Sequence, residues 1–103
     1  MSEHLELSAY LDGEGRLRAM PVRLNKKIKV LSAMAGKIPA DRTFTEKEFN
    51  ELLGELHTFG DAALIRRELV NFGLVEREGN GRRYRLREER PSEEELLRQY
   101  CSM

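Results

Sequence analysis

Apolar residues recur at three- and four-residue spacing in three separate stretches of this chain, and each recurrence predicts an amphipathic helix. The first runs from Leu24 to Ile38, with Leu24, Ile28, Leu31, Met34 or Ala35, and Ile38 on one face, while Lys26, Lys27 and Lys29 fall mostly off it. Gly36 and Pro39 mark its end. The second stripe is Phe49, Leu52, Leu53 and Leu56, and it opens on the clearest start signal in the chain. Thr45 and Glu48 have capping-box spacing, and Phe44 and Phe49 form the matching hydrophobic staple. Thr58-Phe59-Gly60 makes a turn, and Asp61 caps a third helix whose inner face carries Ala62, Ile65, Leu69 and Phe72. Gly73 stops that helix in the left-handed conformation glycine tolerates.

Elsewhere the pattern alternates, as strands do. Asn80-Gly81 is a hairpin signal, and a two-residue loop there fixes a register. Val75 faces Leu86 and Arg77 faces Tyr84 on one side, with Glu76 opposite Arg85 and Glu78 opposite Arg83 on the other. Arg16 to Ala19 alternates basic and apolar residues, which predicts a short third strand ended by Pro21. Ahead of it, Glu3 to Leu11 reads as a short helix or an extended lead-in, and Asp12-Gly13-Glu14-Gly15 as a turn. Ser92 and Glu95 repeat the capping-box spacing before Leu96, Leu97 and Tyr100, so a short terminal helix follows the charged joint Arg87–Pro91. The sum is an α+β winged helix-turn-helix with three main helices, a C-terminal β-hairpin wing, a short third strand and a terminal helix. Residues 1–90 form the winged-helix domain, with its core at about 16–87, and 91–103 a helical tail.

A length of 103 residues suits one domain. The single cysteine, Cys101, excludes an intrachain disulfide and a multi-cysteine zinc site, and it suits a reducing compartment. No apolar run is long enough to span a membrane, and the start MSEHLELSAY lacks the regions of a secretory signal, so the expected location is the cytoplasm. Formal net charge is zero, which argues against coating nucleic acid non-specifically. The balance hides segregation. Arg16 to Lys37 has seven bases and no acid, Thr45 to Asp61 has five acids against Lys47, and Ile65 to Arg90 has eight arginines against five glutamates.

The segments TFTEKEFNELL (Thr43–Leu53), Asp61, IRRELV (Ile65–Val70) and FGLVEREGNGRRY (Phe72–Tyr84) together resemble a bacterial domain family of unknown function. So do YLDGEGRL upstream and the proline before a lysine-rich helix, Pro21 to Lys29. The resemblance spans Leu7 to Leu86. It implies a winged-helix-like fold of a kind often fused behind helix-turn-helix regulators of bacterial transcription. Phe49 departs from the family's frequent valine, a core exchange. No separate DNA-binding domain precedes the unit here, so the expectation is that this copy binds DNA itself or acts through a partner chain.

With Ile65 and Leu69 inward, Arg67, Ala63 and Asn71 fall on the outer face of the third helix. Arginine and asparagine are the residue types that read guanine and adenine edges. Arg66 lies nearer the core edge, and its expected role is structural, pairing with an acid such as Asp61 or with a residue of the preceding helix. Arg82 and Arg83, with Arg85 and Arg87, give the hairpin a phosphate-gripping character. Glu76 and Glu78 partly neutralise Arg85 and Arg83, which leaves Arg82 at the tip as the freest. Lys26, Lys27 and Lys29 open their helix with no acid nearby in sequence, where an anion such as phosphate relieves their conflict with the macrodipole. Asn50 is either a phosphate contact or a partner for a buried carbonyl, the latter commoner.

Enzyme chemistry has little to stand on. His4 and His57 lack metal-pair spacing, Cys101 has no histidine near it in sequence, and the two G-x-G runs sit in turns. No cofactor or metal is expected. The leading expectation is a small regulator that binds double-stranded DNA. The alternative is a non-enzymatic protein-interaction module that regulates a partner through its acidic second helix and terminal tail. The terminal helix either folds back onto the domain, the simpler expectation, or forms a homodimer with a second copy.

Overall fold

The computed structural model describes residues 9–80 and 82–101. The expected lead-in before Ala9 lies outside them. Seven elements follow in order: α1 (Leu24–Ala35), β1 (Phe44–Thr45), α2 (Glu46–Gly54), α3 (Ala62–Asn71), β2 (Val75–Glu78), β3 (Arg83–Leu86) and α4 (Glu93–Cys101). The result is a mixed α+β structure, with four helices among the described residues and one antiparallel three-stranded sheet in the order β1-β3-β2. No helix among these residues is long and apolar enough to cross a membrane.

The hairpin has the register that alternation predicts: Val75 opposite Leu86, Glu76 opposite Arg85, Arg77 opposite Tyr84 and Glu78 opposite Arg83. The Arg82 N–H donates to the Gly79 carbonyl at 3.2 Å, the bond that closes a turn centred on Asn80 and its successor, and also to the Glu78 carbonyl at 3.0 Å. Asn80 has φ 62° and Gly79 φ 59°, while Gly81 lies outside the described residues.

The third strand is not where alternation placed it. Phe44–Thr45 pairs with β3, with Phe44 opposite Tyr84, whereas Arg16–Ala19 contributes only the bridges of Leu17 to Leu11 and His57. The reason is that Leu17 is wholly buried and its backbone is used by the turn after α2. Its N–H donates to the Leu56 carbonyl at 2.8 Å, and its own carbonyl accepts from the Thr58 N–H at 2.9 Å. Such a segment stitches two loops together and has no free edge for a ladder. Asp12 closes the turn before it, accepting the Glu14 and Arg16 N–H groups and the Arg16 side chain.

Local signals account for the helix ends. The Glu48 N–H donates to Thr45 Oγ1 at 3.1 Å while the Thr45 N–H donates to Glu48 Oε1 at 2.9 Å, a complete capping box. The Phe44 and Phe49 rings lie 5.6 Å apart beneath it. Asp61 Oδ1 accepts the Leu64 N–H at 3.1 Å, and Gly73 adopts φ 75° after α3. Ser92 and Glu95 build a second box at α4, which leaves the Glu95 carboxyl below its ordinary range because the Ser92 N–H and then its hydroxyl hydrogen-bond to it.

On α1, Ile28, Leu31, Met34 and Ala35 are buried as the stripe predicts, and Ile38 beyond the helix is buried too. Leu24 is exposed and Val30 is buried instead. A helix packed against both α3 and α4 needs a wider apolar face than one stripe supplies. The terminal helix folds back: Leu96 is 1% exposed in the shared core, and Tyr100 meets Phe72 edge-on at 5.1 Å. Its apolar side is therefore largely used within the chain, the simpler of the two outcomes open to it.

Candidate functional site

The turn between α2 and α3 sets the position of everything that follows. His57, which the sequence reading left as an isolated residue, is buried there. Its Nε2 accepts the Asp61 N–H at 2.8 Å, so Nδ1 carries the hydrogen and donates it to the Leu53 carbonyl at 2.7 Å. The ring thus ties the last turn of α2 to the residue that caps α3. Phe59 packs against it edge-on at 4.6 Å. A capping aspartate four residues after a histidine was the only local hint.

With the turn fixed, the phase of α3 follows from its core contacts. Ile65 and Leu69 are fully buried, and Ala63, Arg67 and Asn71 form an exposed stripe on the other side. Between this helix and the sheet runs a groove of about 440 Å³. One wall is the α3 surface at Ala63, Arg67 and Asn71, with Arg66 and Val70 below. The other brings Arg77 from β2, Tyr84 from β3 and Glu46 from the first turn of α2. All three residues expected to reach DNA from α3 share this groove. Arg77, Tyr84 and Glu46 were not among the expected site residues, because only the sheet register and the helix crossing bring them here.

Arg66 is structural, as its place near the core edge implied, and of the two partners expected for it the one it meets is the residue of the preceding helix, an amide. Its Nη1 donates to Asn50 Oδ1 on α2, and its guanidinium lies 5.5 Å from the Tyr84 ring centre. Asp61, the acid proposed for it, is occupied with capping. Asn50 is thereby explained without a phosphate or a buried carbonyl. Tyr84 is stacked on Phe49 at 5.3 Å with the planes 6° apart, and Arg77 stands 5.7 Å from its ring centre. The groove therefore has a rigid aromatic floor joined to the core.

On the hairpin, the expected pairing of Arg83 with Glu78 gives way to a shared arrangement. Arg85 reaches both Glu76 (3.7 Å) and Glu78 (3.4 Å). Arg82 and Arg83 stay exposed, with no ion pair among the described residues. Arg87 is not on the wing surface; it turns inward, donating to the Gly73 carbonyl at 3.4 Å.

The lysine cluster departs most from expectation. Lys27 meets Glu68 of α3 at 3.1 Å, with both side chains largely shielded. The acid missing from its sequence neighbourhood arrives from a helix 41 residues on. Lys26 and Lys29 are also engaged with other groups. The three do not form an unoccupied basic patch.

A second, broader depression of about 640 Å³ lies beside the loop before β1, where Asp41 and Glu88 offset Arg42 and Arg85. Arg42 is stacked 4.4 Å from the centre of Phe44.

Residues 16–86 match the model of a family described as an uncharacterized protein conserved in bacteria (DUF2087), and the chain belongs to that family. The matched span contains every residue that lines the groove and stops before α4. No curated protein and no solved structure matches the chain.

Proposed function

We propose that this member of a conserved bacterial family is a winged-helix protein that binds double-stranded DNA and serves as a small transcription regulator. What carries the reading is the uncovered stripe of Ala63, Arg67 and Asn71 on the second helix of a helix-turn-helix, beside an open groove. The order of elements supports it: a helix, a short strand, two helices joined by a tight turn, then a hairpin whose second strand pairs with the first short strand. In that architecture α3 enters the major groove, where Arg67 and Asn71 address guanine and adenine edges. Arg82 and Arg83 on the hairpin, and Arg77 at the groove wall, are placed for phosphate. Lys27 is held by Glu68 and is left out of the contact surface. The tail packs on α1 rather than over the stripe.

Titrating a fluorescent duplex with the protein over a range of salt tests the reading. Neutralising three phosphates gives a slope of log affinity on log salt of about −3. Arg67→Ala and Arg82→Ala each weaken binding, and Arg82→Ala brings the slope nearer zero by about one. Undetectable duplex binding by the folded protein at low salt overturns it. That outcome favours a module binding a basic partner through exposed acids of α2 such as Glu51.

A further inference from the structure

We infer that Glu46 is a base-selecting residue of the α3 groove and that it takes the exocyclic amino group of a cytosine. The inference rests on the DNA-binding reading above. Glu46 opens α2, and its position in the first turn is electrostatically favourable for any acid. That explains a carboxylate but not one that lines the groove. The capping work is already done by Thr45 and Glu48, so Glu46 is not needed to close the helix start.

Three guanidiniums line the same groove, yet among the described residues Glu46 forms no ion pair with any of them. Arg66 is held by Asn50, Arg77 rests over Tyr84, and Arg67 faces outward. A cavity lined by one carboxylate and three guanidiniums complements a ligand that offers both acceptors and an N–H donor. A duplex edge is such a ligand. Phosphates and the O6 and N7 of guanine suit the arginines, and cytosine N4 is a donor. Adenine N6 is also a donor, but the N7 acceptor beside it repels a carboxylate. Where no cytosine is presented, Glu46 faces polyanionic DNA unpaired and disfavours the complex, which gives selectivity by rejection.

Selection of binding sequences from a random duplex library, run in parallel for the parent protein and Glu46→Gln, tests this. The parent enriches a motif with cytosine at one position. Glu46→Gln, whose amide pairs with adenine, shifts that position to adenine or flattens it and leaves the rest of the motif in place. Its affinity for a scrambled duplex at low salt rises by about threefold to tenfold, the effect of removing one charge near phosphate. Arg67→Ala alters a different position. Glu46 is exposed, so an unchanged unfolding transition confirms that the variant is folded. If the parent selects a motif and Glu46→Gln selects the same one, the inference fails and the DNA reading stands. If the parent binds no duplex and so selects no motif, both fail together.

Discussion

Replacing His57 by alanine removes the side chain that joins α2 to α3, and the cost can be worked out group by group. The Leu53 carbonyl loses the Nδ1–H donor at 2.7 Å, and a buried acceptor left without a partner costs about 1–3 kcal/mol. The Asp61 N–H loses Nε2 at 2.8 Å but lies nearer solvent, so water recovers part of that bond and the net loss is about 0.5–1 kcal/mol. Space vacated beside Phe59 adds about 1 kcal/mol. A total of about 2.5–5 kcal/mol is expected, which lowers the thermal midpoint by roughly 10–30 °C in a domain of this size. Far-ultraviolet circular dichroism during heating measures it. His57→Phe separates the terms, since it fills the space but makes neither bond, and its loss is about two-thirds that of alanine. Nitrogen NMR of the imidazole checks the premise: the ring carries its hydrogen on Nδ1. An alanine variant melting within about 3 °C of the parent refutes the reasoning.

Two other predictions follow from residues outside the groove. Gly73→Ala forces a side chain into φ 75° and brings its Cβ to 3.1 Å from Arg87 Nη1, so a loss of about 1–2 kcal/mol in urea unfolding is expected. The Asp12 carboxyl sits below its ordinary range, chiefly because the Arg16 N–H hydrogen-bonds to it, with Glu14 and the Arg16 side chain adding to the effect. A depressed folded-state value means that its stabilisation is complete above the unfolded value and fades as pH falls below about 4. Asp12→Asn therefore flattens the pH dependence of the melting temperature on the acid side, as scanning across that range will measure.

Features written into neighbouring residues were legible in the sequence. The Thr45–Glu48 and Ser92–Glu95 boxes, the Asp61 cap and the Gly73 stop each depend on groups within one helical turn. The hairpin register was legible because alternation and the turn constrain it together. What lay beyond reach depends on how elements cross. Asn50 and Arg66 are 16 residues apart and Lys27 and Glu68 are 41 apart, so neither pair has a local signature. Leu17 alternates like a strand residue, yet its backbone is spent on Leu56 and Thr58, and a two-residue strand such as β1 is too short to have a period at all. Within the site, the α3 stripe could be read from the helical period. Its companions Glu46, Arg77 and Tyr84 could not, since the groove exists only once the sheet is placed against the helix.

The chain has no tryptophan and three tyrosines, and one of these, Tyr84, lies beneath two guanidiniums at the floor of the groove. The protein thus contains its own optical gauge. Any occupant that draws Arg66 or Arg77 off that ring changes the electric field at the phenol and hence its emission, with no dye attached.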